Sequence, residues 1–166
     1  MELVAQVTED VLNRWRGPKV DHQLTILSAQ LHDLGNIVKF TRPFDADLAE
    51  KLQDKLEYWY QVQDEFVAKY GTSANAANLK IVAELGLGAT VGKVLTEMEI
   101  VTSRPDQPVS FEARIVEYSD CRVVPNGIVD FETRLRDLCT RYNRRADESW
   151  AKALRHNAQL VEANFL

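Results

Sequence analysis

At 166 residues, with 45% apolar and 27% charged residues, the chain fits one domain with a real core and has the composition of an ordinary globular protein. A formal net charge of -5 and a pI near 5.3 exclude the basic footprint that tight, non-specific nucleic-acid binding needs, but leave open a small phosphorylated substrate, for which local charge outweighs the total. No apolar stretch is long enough to span a membrane and no basic start followed by an apolar run marks a signal peptide, so neither a membrane nor a nucleic-acid partner is expected and the expected location is cytoplasmic.

Leu3, Val4, Val7, Val11, Leu12 and Trp15 recur at three- and four-residue intervals and predict an amphipathic helix over 2–16, stopped by Gly17-Pro18. Asp21 is the expected N-cap of a second helix that runs to about Leu34, with Gly35 supplying the left-handed residue that ends it. The segment 37–44 reads as a loop carrying Lys39 and Arg42. The stretch 45–70 is the longest periodic one, either one helix or two nearly collinear helices, and ends at Gly71. Ser73 caps a helix to about Leu85, with Gly86 as its stop, and another helix is predicted over 90–98. A polar loop with Pro105 and Pro108 follows.

Val109 or Ser110 then opens a helix that bears Asp120, and Pro125-Asn126-Gly127 is a strong turn signal. Helices over 131–145, with Leu135, Leu138 and Tyr142 facing in, and over 148–164 complete the chain, either separate or continuous. Trp15, Trp59, Tyr60 and Trp150 read as core, and Arg141, Arg144 and Arg145 as a solvated helix face. Cys121 and Cys139 lack metal-type spacing and read as buried reduced thiols. The apolar pairs and triplets at 100–102 and 123–124 are too short to build a sheet. The expected architecture is all-α, a single irregular helical bundle over 1–166, with a core over about 1–145 and a C-terminal helix over about 146–166.

The chemically suggestive stretch is Leu31-His32-Asp33-Leu34-Gly35-Asn36. His32 and Asp33 fall in the last turn of the predicted second helix. Adjacent helical side chains point about 100° apart, so the two do not stack, but both reach an ion lying between them at the helix end. A neutral imidazole with a carboxylate is a borderline ligand set, suited to Fe, Mn, Co, Ni or Zn. The same pair also makes a plain helix terminus, where His interacts well with the negative end of the dipole.

The stretch resembles the signature of the HD-domain superfamily of metal-dependent phosphohydrolases. Ile115-Val116-Glu117-Tyr118-Ser119-Asp120-Cys121-Arg122-Val123 resembles the segment that carries that family's distal Asp. The resemblance runs from the first helix to about Tyr142. It implies a helical bundle of the HD-domain type and one divalent metal ion (Mn, Fe, Co, Ni, Zn or Mg) held by His32, Asp33 and Asp120. It also implies hydrolysis of a small phosphorylated molecule or nucleotide, with the ion polarising the phosphoryl group and acidifying water. Asp33 and Glu117 are the candidate catalytic groups, Glu117 lying one turn before Asp120 as a base. Lys39, Arg42 and Arg122 are candidate phosphate contacts. A solvated cation is the plain alternative for each, and pairing with Arg114 or Arg122 is the alternative for Glu117.

The chain departs from the family pattern twice. The position of the family's first His falls at or just before Met1, so either the sequence starts late or that ligand is lost. His22 does not replace it, since ten residues along one helix put it about 15 Å from His32. No His lies between Asp33 and Asp120, and Asn75 stands where relatives carry one. Asn is a poor ligand for these metals, so a single ion is expected, without the two-metal chemistry of the oxygenase and phosphodiesterase branches. The competing readings are a degenerate HD domain that binds a ligand or partner without catalysis, and a purely structural helical protein with His32 and Asp33 as a cap. Exposed apolar positions on the last two helices would allow a homodimer.

Overall fold

Helix α1 (Glu2–Arg14) forms where the apolar spacing places it, and Val4, Val7, Val11 and Leu12 are all buried. This is a computed structural model that describes residues 1–44, 46–125 and 127–166. Helix α2 (His22–Leu31) is capped by Asp21, whose carboxylate accepts from the Leu24 N–H at 3.0 Å. It ends earlier than predicted. His32 is its C-cap, a turn follows, and Asn36–Lys39 form a 3-10 turn.

Gly35 is not the left-handed stop that the sequence suggested. Its φ is -82° and its ψ -3°, ordinary right-handed backbone. What it provides is space: a Cβ there would lie 2.4 Å from the Ala74 carbonyl oxygen and 2.7 Å from the Asn78 nitrogen. Only a residue without a side chain lets this turn lie against the backbone that follows Ser73.

The stretch predicted as one or two helices over 45–70 is divided. Helix α3 (Ala46–Leu52), a 3-10 turn (Gln53–Lys55) and α4 (Leu56–Tyr70) follow one another; Asp45 lies outside the described residues. Gly71, at φ +90°, ends α4 as expected. Helix α5 (Ala74–Glu84) is capped by Ser73 and followed by Gly86 at φ +76°. Helix α6 (Val91–Ser103) runs past its predicted end because Val94, Met98 and Val101 extend one buried stripe, so the strand-like triplet at 100–102 is helical.

Helix α7 (Phe111–Asp120) is capped by Ser110. Strands β1 (Val123–Val124) and β2 (Gly127–Ile128) pair antiparallel, with Val123 opposite Ile128. Short as these strands are, they make a minimal ladder; Asn126, in the predicted turn, lies outside the described residues. Helices α8 (Phe131–Arg141) and α9 (Ser149–Glu162) are separate, with Asn143 at φ +48° between them.

The nine α-helices and one small hairpin make the described residues all-α. Helix α7 is the central element: Ala113, Ile115, Val116, Tyr118 and Ser119 are all buried, and α1, α2, α6 and α9 pack around it. Helix α9 joins the same core through Ala151, Leu154, Ala158 and Val161. Its Glu162 accepts from the Tyr118 hydroxyl at 2.9 Å. Trp15 and Trp150 pack against that core, whereas Trp59 and Tyr60 are only partly buried and meet Tyr58 and Phe44. Tyr142, predicted to face in, is 59% exposed because α8 has already ended before it. Cys121 is buried, Cys139 half-buried, and both are free thiols. Among the described residues no helix is long and apolar enough to cross a membrane.

Candidate metal centre

Two helix C-termini meet at the site. His32 closes α2 and Asp120 is the last residue of α7, so each side chain is carried by a helix buried in the core. The His32 Nδ1–H donates to the Ala29 carbonyl at 2.7 Å. That bond leaves Nε2 as the lone-pair nitrogen of the neutral ring. Nε2 stands 3.5 Å from Asp33 Oδ2 and 3.5 Å from Asp120 Oδ1, and it is buried with no hydrogen-bond partner. One ligand atom from each of the three residues lies within 4.8 Å of the other two. Ligands about 2.1 Å from one ion at tetrahedral angles stand roughly 3.4 Å apart, which is close to the spacing about Nε2.

The electrostatics follow from this crowding. Burial lowers the His32 pKa, but the facing Asp120 carboxylate and the Asp33 charge outweigh it and hold the imidazole above its usual 6.5. Burial pushes the Asp120 carboxyl up, yet His32 and then Arg134 on α8 leave it below the ordinary value. Among the described residues His32 alone offsets the charge around Glu117. Burial, Asp120 and Asp33 push its pKa up to about 8, with only His32 opposing.

Because the folded-state pKa of His32 lies above 6.5, the metal-free protein carries this stabilisation in full below pH 6.5 and loses it as pH rises through the folded value. Metal affinity moves the other way, since an ion must displace that proton, and it is expected to rise by about tenfold per pH unit below the His32 pKa. Mn(II) titrations at pH 6, 7 and 8 check this, and a flat profile would count against His32 as a ligand.

The support for the turn comes from α5. The Asn78 side-chain N–H donates to the His32 carbonyl oxygen, and Gly35 is seated against the Ala74 and Asn78 backbone. His32, Asp33, Glu117 and Asp120 all line a cleft of about 230 Å³. Asn75 also borders it, at the position where the resemblance expected a His.

The three candidate phosphate contacts are not on that cleft wall. Lys39 is exposed. Arg42 is bound to α4: it donates to Gln63 Oε1 at 2.5 Å and to the Tyr60 carbonyl at 2.6 Å, and pairs with Asp64 at 2.8 Å. Arg122 donates to the Val129 carbonyl at 2.6 Å and to the Tyr118 hydroxyl at 2.7 Å, tying the hairpin to α7. Glu117 pairs with neither Arg114 nor Arg122, since Arg114 donates to Asn157 on α9. Arg42→Ala is therefore expected to lower stability by about 1–2 kcal/mol and leave metal affinity unchanged, as read by urea unfolding and Mn(II) titration.

Asn78, which lines the cleft and holds the His32 carbonyl, is not among the residues singled out from the sequence. A signal was present. It sits on the spacing of Ala77, Ile81 and Val82 along α5, and a polar residue on an apolar stripe is the informative exception. Arg134, whose Nε is buried without a partner, left no comparable trace.

No family model, no curated protein and no solved structure matches the chain.

Proposed function

We propose that the chain is a metal-dependent phosphohydrolase of the HD-domain type, acting on a small phosphorylated molecule. The observation that carries this reading is the buried His32 Nε2, without a hydrogen-bond partner among the described residues, standing 3.5 Å from one oxygen of Asp33 and 3.5 Å from one oxygen of Asp120. One imidazole and two carboxylates suit Mn, Fe, Co, Ni or Zn. Three protein ligands also leave coordination positions open. His32, Asp33 and Asp120 would hold the ion, which supplies Lewis-acid polarisation of a phosphoryl oxygen and acidifies water.

The chain's own groups supply the rest. The His32 Nδ1–H bond to Ala29 holds the ring in orientation. Glu117, with its pKa raised to about 8, is a stronger base than an ordinary carboxylate. With an ion held beside it, Glu117 would lose its proton nearer neutral pH and would then be placed to accept the proton of the attacking water and return it to the leaving alkoxide. Water and a phosphomonoester become an alcohol and inorganic phosphate.

A second reading is a domain that binds through the same site without turnover. It is favoured by one observation: among the described residues no Lys or Arg lines the cleft to take the phosphate charge. The test is purified protein loaded with Mn, Co or Ni and offered a panel of phosphomonoesters and nucleotides. Metal-dependent phosphate release is expected. A stably metal-loaded protein that releases none from any of them leaves the second reading.

A further inference from the structure

We propose that the cleft selects a substrate whose non-phosphate end carries a primary ammonium group, a phosphomonoester of a small amino alcohol. This rests on the hydrolase reading for its phosphate end only.

The first observation is Asn78. It is 5% exposed and lines the cleft. Its amide orientation is set, because the His32 carbonyl it meets accepts only from the NH2 group. That leaves Oδ1 as an acceptor buried without a donor, an arrangement that costs free energy unless something donates to it.

The second observation is charge. Asp33, Glu99, Glu117 and Asp120 all line the cleft, and no Lys or Arg among the described residues does. The Glu99 carboxylate, on α6, is exposed and makes no hydrogen bond or ion pair among the described residues; its backbone carbonyl accepts from the Ser103 hydroxyl at 2.7 Å and the Thr102 hydroxyl at 3.4 Å. One divalent ion at His32, Asp33 and Asp120 offsets the two aspartates and leaves Glu99 and Glu117 without a counter-charge, Glu99 being the exposed one of the two. A cleft of this sign attracts a cationic head and repels a second anionic group.

Size and lining narrow the class. At about 230 Å³ the cleft is smaller than the roughly 300–1,000 Å³ that holds a drug-sized ligand, so it suits a short ester. Leu79, Leu95 and Met98 supply an apolar wall for the link between the two ends. A phosphate end at the ion, a short aliphatic link and an ammonium end donating to Glu99 and Asn78 Oδ1 match the ion site, the apolar wall and the two unpaired acceptors.

The experiment is calorimetric titration of the Mn(II)-loaded full chain with O-phosphoethanolamine, ethyl phosphate and phosphoglycolate, which differ in the charge of the far end. O-phosphoethanolamine is expected to bind at least about tenfold more tightly than ethyl phosphate, with phosphoglycolate weakest. Glu99→Gln is expected to remove most of the first difference while leaving ethyl phosphate unchanged. Equal or reversed affinities, no binding of any ester, or an equal effect of Glu99→Gln on all three overturns the proposal. So does a Mn(II) stoichiometry of two that falls to one in Glu99→Gln, which would put a second ion where the ammonium is assigned. Phosphate release from the same samples reports separately on catalysis: selective binding without release upholds the ammonium preference and refutes the hydrolase reading.

Discussion

Replacing Asp120 by alanine is expected to weaken Mn(II) binding by at least about a hundredfold and to lower metal-dependent phosphate release by about a thousandfold. Asp120 is the proposed ligand that joins α7 to the His32 turn. Without it an ion would keep only two adjacent side chains, His32 and Asp33, and lose the α7 carboxylate that stands 3.5 Å from Nε2. Loss of a partner that merely orients a ligand already costs 10–100-fold in affinity, and a ligand itself costs more. The fold itself is expected to change by no more than about 1 kcal/mol, because the Asp120 side chain is 38% exposed and its interaction with the protonated imidazole is screened by water. Mn(II) titration beside urea unfolding separates the two effects. A variant with wild-type metal affinity would remove Asp120 from the site.

Gly35→Ala is expected to lower stability by about 3 kcal/mol and to weaken metal binding as well. The new Cβ would meet the Ala74 carbonyl oxygen at 2.4 Å and the Asn78 nitrogen at 2.7 Å. Both are backbone atoms, so no rotamer relieves the clash, and either the turn or the start of α5 must move. Asn78 also holds the His32 carbonyl, so the displacement reaches the imidazole, where a shift of about 1 Å is worth roughly a hundredfold in a positioned site. Urea unfolding and Mn(II) titration of the folded fraction check the two parts. A stable variant with unaltered metal affinity would mean that the turn is not held by α5.

The helices were legible because their signals are local. The apolar spacing of α1, the Asp21 and Ser73 caps and the positive-φ glycines at 71 and 86 act within a few residues of the element they define. The misreadings have the opposite origin. Gly35 looked like a helix stop, but its role comes from Ala74 and Asn78, far along the chain. Arg42 and Arg122 looked like free cations near a phosphate, but they are used by Tyr60, Gln63 and Asp64 and by Val129, partners that only the fold brings near. Helix α6 outran its predicted end because burial against α7 and α9 favours a helix where β-branched residues alone suggested a strand.

The candidate site divides in the same way. The adjacency of His32 and Asp33 is written in the chain, and Asp120 was reached through a resemblance. The 3.5 Å separations, the Nδ1 bond to Ala29 and the unpaired Glu99 and Asn78 Oδ1 are properties of packing alone. The acid content of the cleft was equally hidden, since Glu99 on α6 and Asp33 after α2 share one cleft only because α2 and α6 pack against each other and against α7.

The most direct measurement of the central claim is anomalous diffraction from crystals of the full chain soaked in Mn(II). A single strong peak is expected, bounded by His32 Nε2 and one oxygen each of Asp33 and Asp120, with each ligand about 2.0–2.3 Å from it. A saturating soak that leaves His32 Nε2 paired directly with Asp120, or a peak held by other residues, would contradict it.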